Sequence, residues 1–538
     1  MGIPFQLRIG VSGHRTLSSS DQLAAEVRQL IPRLKNLAPT SSDTPLLLTV
    51  VSPLAEGADR LVAREVLAHD RATLEAVLPY AQADYEASFG DEASREEFRA
   101  LLARAAIKTE LPATESREES YEQAGQYVVE RCDVLIALWD GQPAQGTGGT
   151  ADIVAWARDR GVPVFWICTA SPFTCTEWPG NGFDASAFHA LDRFNSASID
   201  DARVSDTLTR TMADLTAHAR QAGLDPTGLA PYLSWIMPAY VRADWLASRA
   251  QRRFFRVSDA TFIFATLAVI ASAGPQLLGS DASLLNLVPS SSVRVAPLLE
   301  SLLMVLGLAA IYLSRRRGYH REWIMYRYLA ERLRSAFFLA LVTPLEPVAQ
   351  SPDPTVLHQS GDEWLQRSVD AMWQSRPAIP PSLPVDGLRR FLVAAWVADQ
   401  RAYQTRKSRG HELAHEQIAR TGVLIFAVTL IVAATDALDL GRHGSLWATG
   451  AAVVLYLSII LPAVAGAITG IGALREHPRN AHRSDRMARY LARLETRIAR
   501  APDVQALQTL VRLGEAMMVE ETGDWFVTME LRDVGVTA

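Results

Sequence analysis

Three short stretches of the chain combine small residues with polar side chains in the way an anion-binding loop requires. They are Gly10-Val-Ser-Gly-His-Arg15, Ser52-Pro-Leu-Ala-Glu-Gly-Ala-Asp-Arg60, and Trp139-Asp-Gly141 with Gly146-Thr-Gly-Gly-Thr150. Small residues leave backbone N–H groups accessible, and a loop that opens a helix adds the positive end of the helix dipole. Arg15 contributes a planar fork that fits phosphate. The candidate ligand-binding residues are therefore Ser12, Gly13, His14 and Arg15, then Ser52, Glu56, Gly57 and Asp59. From the third loop come Trp139, Asp140, Gly141, Gly146, Thr147, Gly148, Gly149 and Thr150. Any one of these loops reads equally well as a tight turn; three on one edge of one sheet define a site. Neither a Walker lysine nor a Gly-x-Gly-x-x-Gly fingerprint is present, which argues against ATP hydrolysis and dinucleotide redox chemistry. Cys132, Cys168 and Cys175 have no metal-binding spacing and form no even disulfide set, which favours a reducing compartment; no metal and no cofactor are expected.

The elements that must carry these loops are legible from the pattern of apolar residues. Apolar runs at 7–11, 46–51, 74–78, 134–139 and 162–167 read as buried strands. Amphipathic segments at 20–37, 58–69, 92–106, 121–132 and 151–160 read as helices. Such alternation predicts an α/β, Rossmann-like parallel sheet with helices on both faces. Ligands then bind where the strands end.

Several of these residues, in this order, resemble the SLOG superfamily, the Rossmann-like group related to DprA and to the cytokinin-activating LOG enzymes. They are Gly13-His-Arg15, Leu54-Ala-Glu-Gly-Ala-Asp-Arg60, Val77-Leu-Pro79 with Tyr85 and Phe89, and Cys132-Asp-Val-Leu-Ile-Ala-Leu-Trp-Asp-Gly141 with Gly148-Gly-Thr150. The resemblance covers residues 7–169 and implies a domain that binds a nucleotide-type small molecule. LOG enzymes place a glutamate close after their Gly-Gly-x-Gly-Thr loop, to work with an arginine on an N-glycosidic bond. Here the run is Thr147-Gly-Gly-Thr-Ala-Asp152, so Asp152 is the carboxylate nearest that place. If the domain is hydrolytic, the resemblance makes Asp152 and Arg15 the catalytic pair. The shorter carboxylate favours a receptor.

The second half of the chain has a different character. Residues 260–278 and 446–474 carry no charge, 298–314 carries only Glu300, and 421–435 is uncharged up to Asp436. A bilayer-spanning helix needs about 20 apolar residues, so four spans arranged as two hairpins are expected. Arg249, Arg252, Arg253 and Arg256 precede the first span, and Arg315, Arg316 and Arg317 follow the second. Arg406, Lys407, Arg409 and Arg420 precede the third, and Arg475 and Arg479 follow the fourth. The hairpin tips hold only Arg294 and Arg442 as basic residues. The positive-inside bias puts both termini and the middle segment in the cytoplasm.

Arg327-Tyr-Leu-Ala-Glu-Arg-Leu333 and Arg489-Tyr-Leu-Ala-Arg-Leu-Glu495 lie 162 positions apart, which suggests a duplicated hairpin unit. These units, with Trp323, Asp399-Gln-Arg-Ala-Tyr403 and Gly523-Asp-Trp525, resemble SLATT domains, two-span modules that accompany SLOG sensors. Gly466-Ala-Ile-Thr-Gly470 is a small-xxx-small pattern suited to close helix packing.

The expected organisation is thus a nucleotide-binding domain at 1–180, a connector at 181–244 and a first hairpin at 245–342. A Pro-rich cytosolic segment at 343–386, built round one helix at 362–374, and a second hairpin at 387–538 follow. With 49% apolar residues and a net charge of −6, no basic field invites nucleic acid. Of the 53 basic residues only Lys35, Lys108 and Lys407 are lysine, a skew that fits a GC-rich bacterial genome. The expectation is a multi-pass protein of the bacterial inner membrane that oligomerises through its spans. Its family resemblances imply a sensor–effector in bacterial defence. The alternatives are a membrane-anchored nucleoside or nucleotide N-glycosidase and a constitutive scaffold.

Overall fold

The computed structural model describes residues 2–143, 148–180, 185–279, 290–342, 363–377, 383–438 and 445–533. The chain divides into two units. One holds residues 1–243, 328–385 and 503–538, the other residues 244–327 and 386–502.

The first unit is built on a seven-stranded sheet of order β4-β3-β2-β1-β5-β6-β7. Its strands are β1 (Phe5–Gly13), β2 (Leu46–Ser52), β3 (Ala72–Leu78), β4 (Ile107–Glu110), β5 (Val134–Trp139), β6 (Val164–Cys168) and β7 (Cys175–Trp178). All neighbours are parallel except β6 and β7. The five expected strands are all present. Two edge strands were not anticipated, because Ile107–Glu110 is short and polar and Cys175–Trp178 follows a proline-containing turn. β1 lies at the centre: the chain steps outward through β2, β3 and β4, then returns to place β5 on the other side of β1. That reversal opens a crevice at the carboxyl ends of β1, β2 and β5.

Helices cover both faces. Leu7, Ile9 and Val11 point into one core with α1 (Ser20–Leu37), α2 (Ala58–Leu67) and the pair α3 (Gln82–Ala87) and α4 (Glu92–Leu102). On the opposite face Val51, Val77, Leu135 and Ala137 pack with α5 (Arg117–Arg131) and α6 (Thr150–Asp159). The segment read as a connector holds α7 (Ser186–Ser196), α8 (Asp201–Gln221) and the start of α9 (Pro226–Gly279). Phe188, Leu191 and Phe194 of α7 are buried at helical spacing.

The amino-terminal half of the second face is polar, and the middle segment of the chain covers it. The helix expected at 362–374 forms as α12 (Glu363–Gln374). Asp370 meets Arg8 at 2.5 Å, and Arg367 meets Asp133 at 2.6 Å. The Gln374 side-chain oxygen Oε1 accepts from Thr49 and Thr73 at 2.8 and 2.7 Å. Gln6 donates to Thr49, while Arg131 reaches the buried Glu75 at 3.0 Å. A polar face this deep is tolerable only when its groups are paired, and α12 supplies the pairs. Also in this unit, α11 (Tyr319–Ala340) and α17 (Val504–Asp533) share the buried ion pair Arg332–Glu515 at 3.2 Å.

Among the described residues, four helices are long and apolar enough to cross a membrane. They are α9, α10 (Ser290–Arg317), the run of α13 (Val385–Leu392), a π-helical turn and α14 (Asp399–Ala437), and α15 (Ser445–Leu474). At most 6% of each apolar window is buried, as lipid-facing helices require. The chain is therefore a multi-pass membrane protein. Within the second unit α16 (His477–Ala499) packs back on α14, with Arg401 near Glu495 at 3.3 Å. The two small residues of the last span part company. A Cβ on Gly470 would stand 2.5 Å from the Phe262 ring, whereas Gly466 faces open space. Gly470 thus lets the fourth span approach the first inside the chain.

Candidate functional site

The three loops converge. Ala58 N–H donates to the His14 carbonyl at 3.0 Å, and His14 N–H donates to the Leu138 carbonyl at 3.0 Å. These bonds tie the β1, β2 and β5 loops together. Gly57 has φ +79°, and a Cβ there would lie 2.4 Å from the His14 and Arg15 carbonyl oxygens. A Cβ on Gly13 would lie 2.5 Å from the Leu138 carbonyl. Both glycines therefore serve loop-to-loop approach. On the β5 side, His14 Nε2 sits 3.1 Å from the Asp140 carboxylate and 3.2 Å from its backbone nitrogen. The Asp140 carboxyl is held below its usual range, first by the Gln142 N–H and then by His14.

Beneath the loops lies a tyrosine cluster that sequence reasoning missed in part. Arg15 is exposed, and its guanidinium lies 4.7 Å from the Tyr121 ring centre. Tyr121 and Tyr80 share a hydroxyl contact at 3.0 Å. Burial alone would raise the Tyr121 phenol, but Arg15 and Tyr80 pull it below its ordinary value. Tyr85, quoted above only within a motif, is fully buried, and its hydroxyl has no hydrogen-bond partner among the described residues. Burial and the nearby Asp59 charge push that phenol well up. Nothing in the sequence around Tyr121 singles it out, since it lies in the first turns of an ordinary helix.

Asp59 forms the floor. Its carboxylate accepts the Ala55 N–H at 3.2 Å and is buried. Desolvation pushes its pKa up to about 7, against the lowering pull of Ala55, Arg15 and Arg60. Ser52 is buried beside it and accepts the Leu54 N–H at 3.0 Å. Glu56 bonds the Ser94 hydroxyl. Arg60 is committed to structure: it donates to the Leu54 and Ser94 carbonyls and lies 4.5 Å over the Phe89 ring.

The third loop is partly described, as Gly146 and Thr147 lie outside the described residues. Gly148 has φ +78°, and a Cβ there would meet the Glu122 backbone at 2.8 Å. Gly149 caps the α6 N-terminus, with Thr150 as its first residue. The Asp152 carboxylate accepts the Gly148 N–H at 3.1 Å. Trp139 Nε1–H donates to the Gln142 carbonyl at 2.8 Å, and Trp166 packs behind it at 5.8 Å between ring centres. Gly141, at φ +84°, turns over the Trp166 ring. The site is thus an edge with one exposed cation, an aromatic floor, one buried carboxyl and one helix N-terminus. Among the described residues no three His, Cys, Asp or Glu side chains are grouped to hold a metal.

The molecule is a multi-pass membrane protein with a doubly wound α/β domain and a polar crevice at its strand ends. No protein-family model matches the chain, and no curated protein matches its sequence.

Proposed function

We propose that the chain is a membrane sensor–effector of the bacterial inner membrane, with both termini cytoplasmic. Its α/β domain, of the SLOG type, binds a nucleotide-derived signal at the crevice, and its spans respond by permeabilising or perturbing the bilayer as a defence response. The observation that carries this reading is the convergence of Arg15, Tyr121 and the unpartnered Tyr85 hydroxyl beneath loops from three adjacent strands. A phosphate suits Arg15, and the tyrosine floor suits a ribose or base. The Asp152–Gly148 bond supports a loop-holding role for Asp152, which favours a receptor over a glycosidase. A ligand moves the spans only by binding one state of the protein better than another.

The test is dye release from liposomes holding the full chain, with cyclic and ADP-ribose nucleotides added. Arg15→Ala should need roughly tenfold to a hundredfold more ligand, the loss of one charge-assisted contact. Equal leakage from wild type and Arg15→Ala would remove the domain from the gate. Chromatography of the same mixtures should return the nucleotide intact. Steady release of free base, abolished by Asp152→Asn, would establish the glycosidase instead.

A further inference from the structure

The arginines at the cytoplasmic ends of the two hairpins differ in how they are neutralised. At the second hairpin, those next to the spans have acid partners: Arg420 with Glu416 at 3.0 Å, Arg475 with Asp259 at 2.7 Å, and Arg479 with Glu476 at 3.8 Å. At the first hairpin, Arg252, Arg253, Arg256, Arg316 and Arg317 are exposed, and none has a carboxylate within 4.0 Å among the described residues. The nearby acids are engaged elsewhere, Asp244 with Arg327 at 2.7 Å and Asp259 with Arg475. Glu322, in the first turn of α11, lies beyond 4.0 Å of these five.

Their placement is not scattered. Arg249, Arg252, Arg253 and Arg256 recur at one-turn spacing along α9, just before its apolar window, so they form one stripe. Arg315, Arg316 and Arg317 end α10 just after the second window. Gly318, at φ +61°, then turns the chain into α11. Tyr319 and Trp323 of α11 lie against α9: the Arg253 guanidinium is 5.8 Å from the Tyr319 ring, and Phe254 stacks on Trp323 at 6.0 Å. Tyrosine and tryptophan at this depth belong to the headgroup layer. Orientation in the membrane needs only a bias of basic residues on one side. It does not need them unpaired, since acidic residues contribute little to that rule. Leaving five guanidiniums without carboxylates carries an electrostatic cost that an external anion would remove.

We propose that the first hairpin carries an anionic-phospholipid site at its cytoplasmic end, in which Arg252, Arg253, Arg256, Arg316 and Arg317 clasp headgroup phosphates beside Tyr319 and Trp323. At the second hairpin the arginines next to the spans, Arg420, Arg475 and Arg479, are already paired, and Arg406 and Arg409 lie more than two helical turns before the apolar run that starts at 421. Each arginine near a membrane surface favours an anionic lipid about fivefold.

The full chain is reconstituted in nanodiscs of phosphatidylcholine with and without phosphatidylglycerol, and the lipids retained after detergent extraction are counted by native mass spectrometry. Wild type should retain phosphatidylglycerol over phosphatidylcholine. Arg316→Gln with Arg317→Gln should cut that preference roughly twentyfold or more, whereas Arg475→Gln with Arg479→Gln should leave it within about twofold. Recovery in pure phosphatidylcholine discs reports membrane insertion separately from lipid choice. A salt titration of wild type alone provides a second reading: 0.5 M NaCl should strip the phosphatidylglycerol, because exposed charges are screened. Equal retention of the two lipids, no salt effect, or equal losses in both double variants would overturn the proposal.

Discussion

Arg8 and Arg15 stand seven positions apart on one strand and the loop that follows it, and they meet opposite fates. Arg8 is buried, bonded to Gln6 at 3.1 Å and to Asp370 at 2.5 Å, in a face where each charge has found a partner. Arg15 is exposed above a tyrosine floor, with a buried carboxyl and an unpartnered hydroxyl below it. Both ends of the sheet hold polar groups. They differ in whether those groups are satisfied. The amino half was closed by a helix from elsewhere in the chain, so its polarity is architecture. The carboxyl edge keeps Arg15 exposed and the Tyr85 hydroxyl without a hydrogen-bond partner among the described residues, as the proposed ligand site requires.

The largest loss is expected at the seam. Asp370→Ala removes one partner of a buried pair and leaves Arg8 and part of Arg131 uncompensated. Removing one member of such a pair costs about 3–5 kcal/mol. Chemical denaturation followed by the first unit's tryptophans should show that loss. A change below about 1 kcal/mol would mean α12 is not held by this network.

A smaller effect is expected at the floor of the open edge. The buried Asp59 carboxyl releases its proton near pH 7, against an ordinary value of 3.8. Between those values the folded protein holds a proton that the unfolded chain has lost. The stabilisation is therefore fully present below pH 4 and is lost as pH rises through 7. Across pH 5 to 7 the loss is about 2 kcal/mol. Asp59→Asn keeps an oxygen to accept the Ala55 N–H and removes the titration, so its melting curve should be flatter over that range. Identical pH profiles for the two proteins would place the Asp59 proton elsewhere.

Much of this was readable from the residues, and the failures have physical causes. Apolar runs announced the five central strands because those strands are buried on both sides, and the three loops fell together because β1, β2 and β5 are neighbours. Uncharged length announced the four membrane helices. The seam is hard to read because its partners are far apart in sequence, 362 positions for Arg8 and Asp370 and 234 for Asp133 and Arg367. A signal was nevertheless present: Gln6, Arg8, Thr49 and Glu75 interrupt strands that are otherwise apolar, which no solvent-free sheet face tolerates without partners. The helices within the 181–244 connector are harder to read, because charged residues interrupt the helical spacing of Phe188, Leu191 and Phe194. Small-xxx-small at 466–470 was read correctly as a packing signal. Only Gly470 serves it, because spacing gives the face of a helix and not the position of its neighbour.

The smallest loss is expected at Arg15. If Arg15 is held for a ligand and not for the fold, deleting it should cost the unliganded protein almost nothing. Among the described residues its guanidinium meets Tyr121, lying 4.7 Å from the ring centre, and an exposed cation–π contact contributes about 0.5–1 kcal/mol. Removing a positive charge above the buried Asp59 would also favour the protonated carboxyl, raising its pKa further. Arg15→Ala should therefore melt close to wild type at pH 6, with a loss of about 1 kcal/mol or less. Arg8→Ala, seven positions earlier and with the same side chain deleted, should lose several times as much, because the buried Asp370 then keeps only Gln366 and the more distant Arg131, at 3.8 Å. The two melts, run side by side without ligand, need no knowledge of what the crevice binds. Equal destabilisation by the two substitutions would make Arg15 a structural residue and leave the carboxyl edge without its cation for recognition.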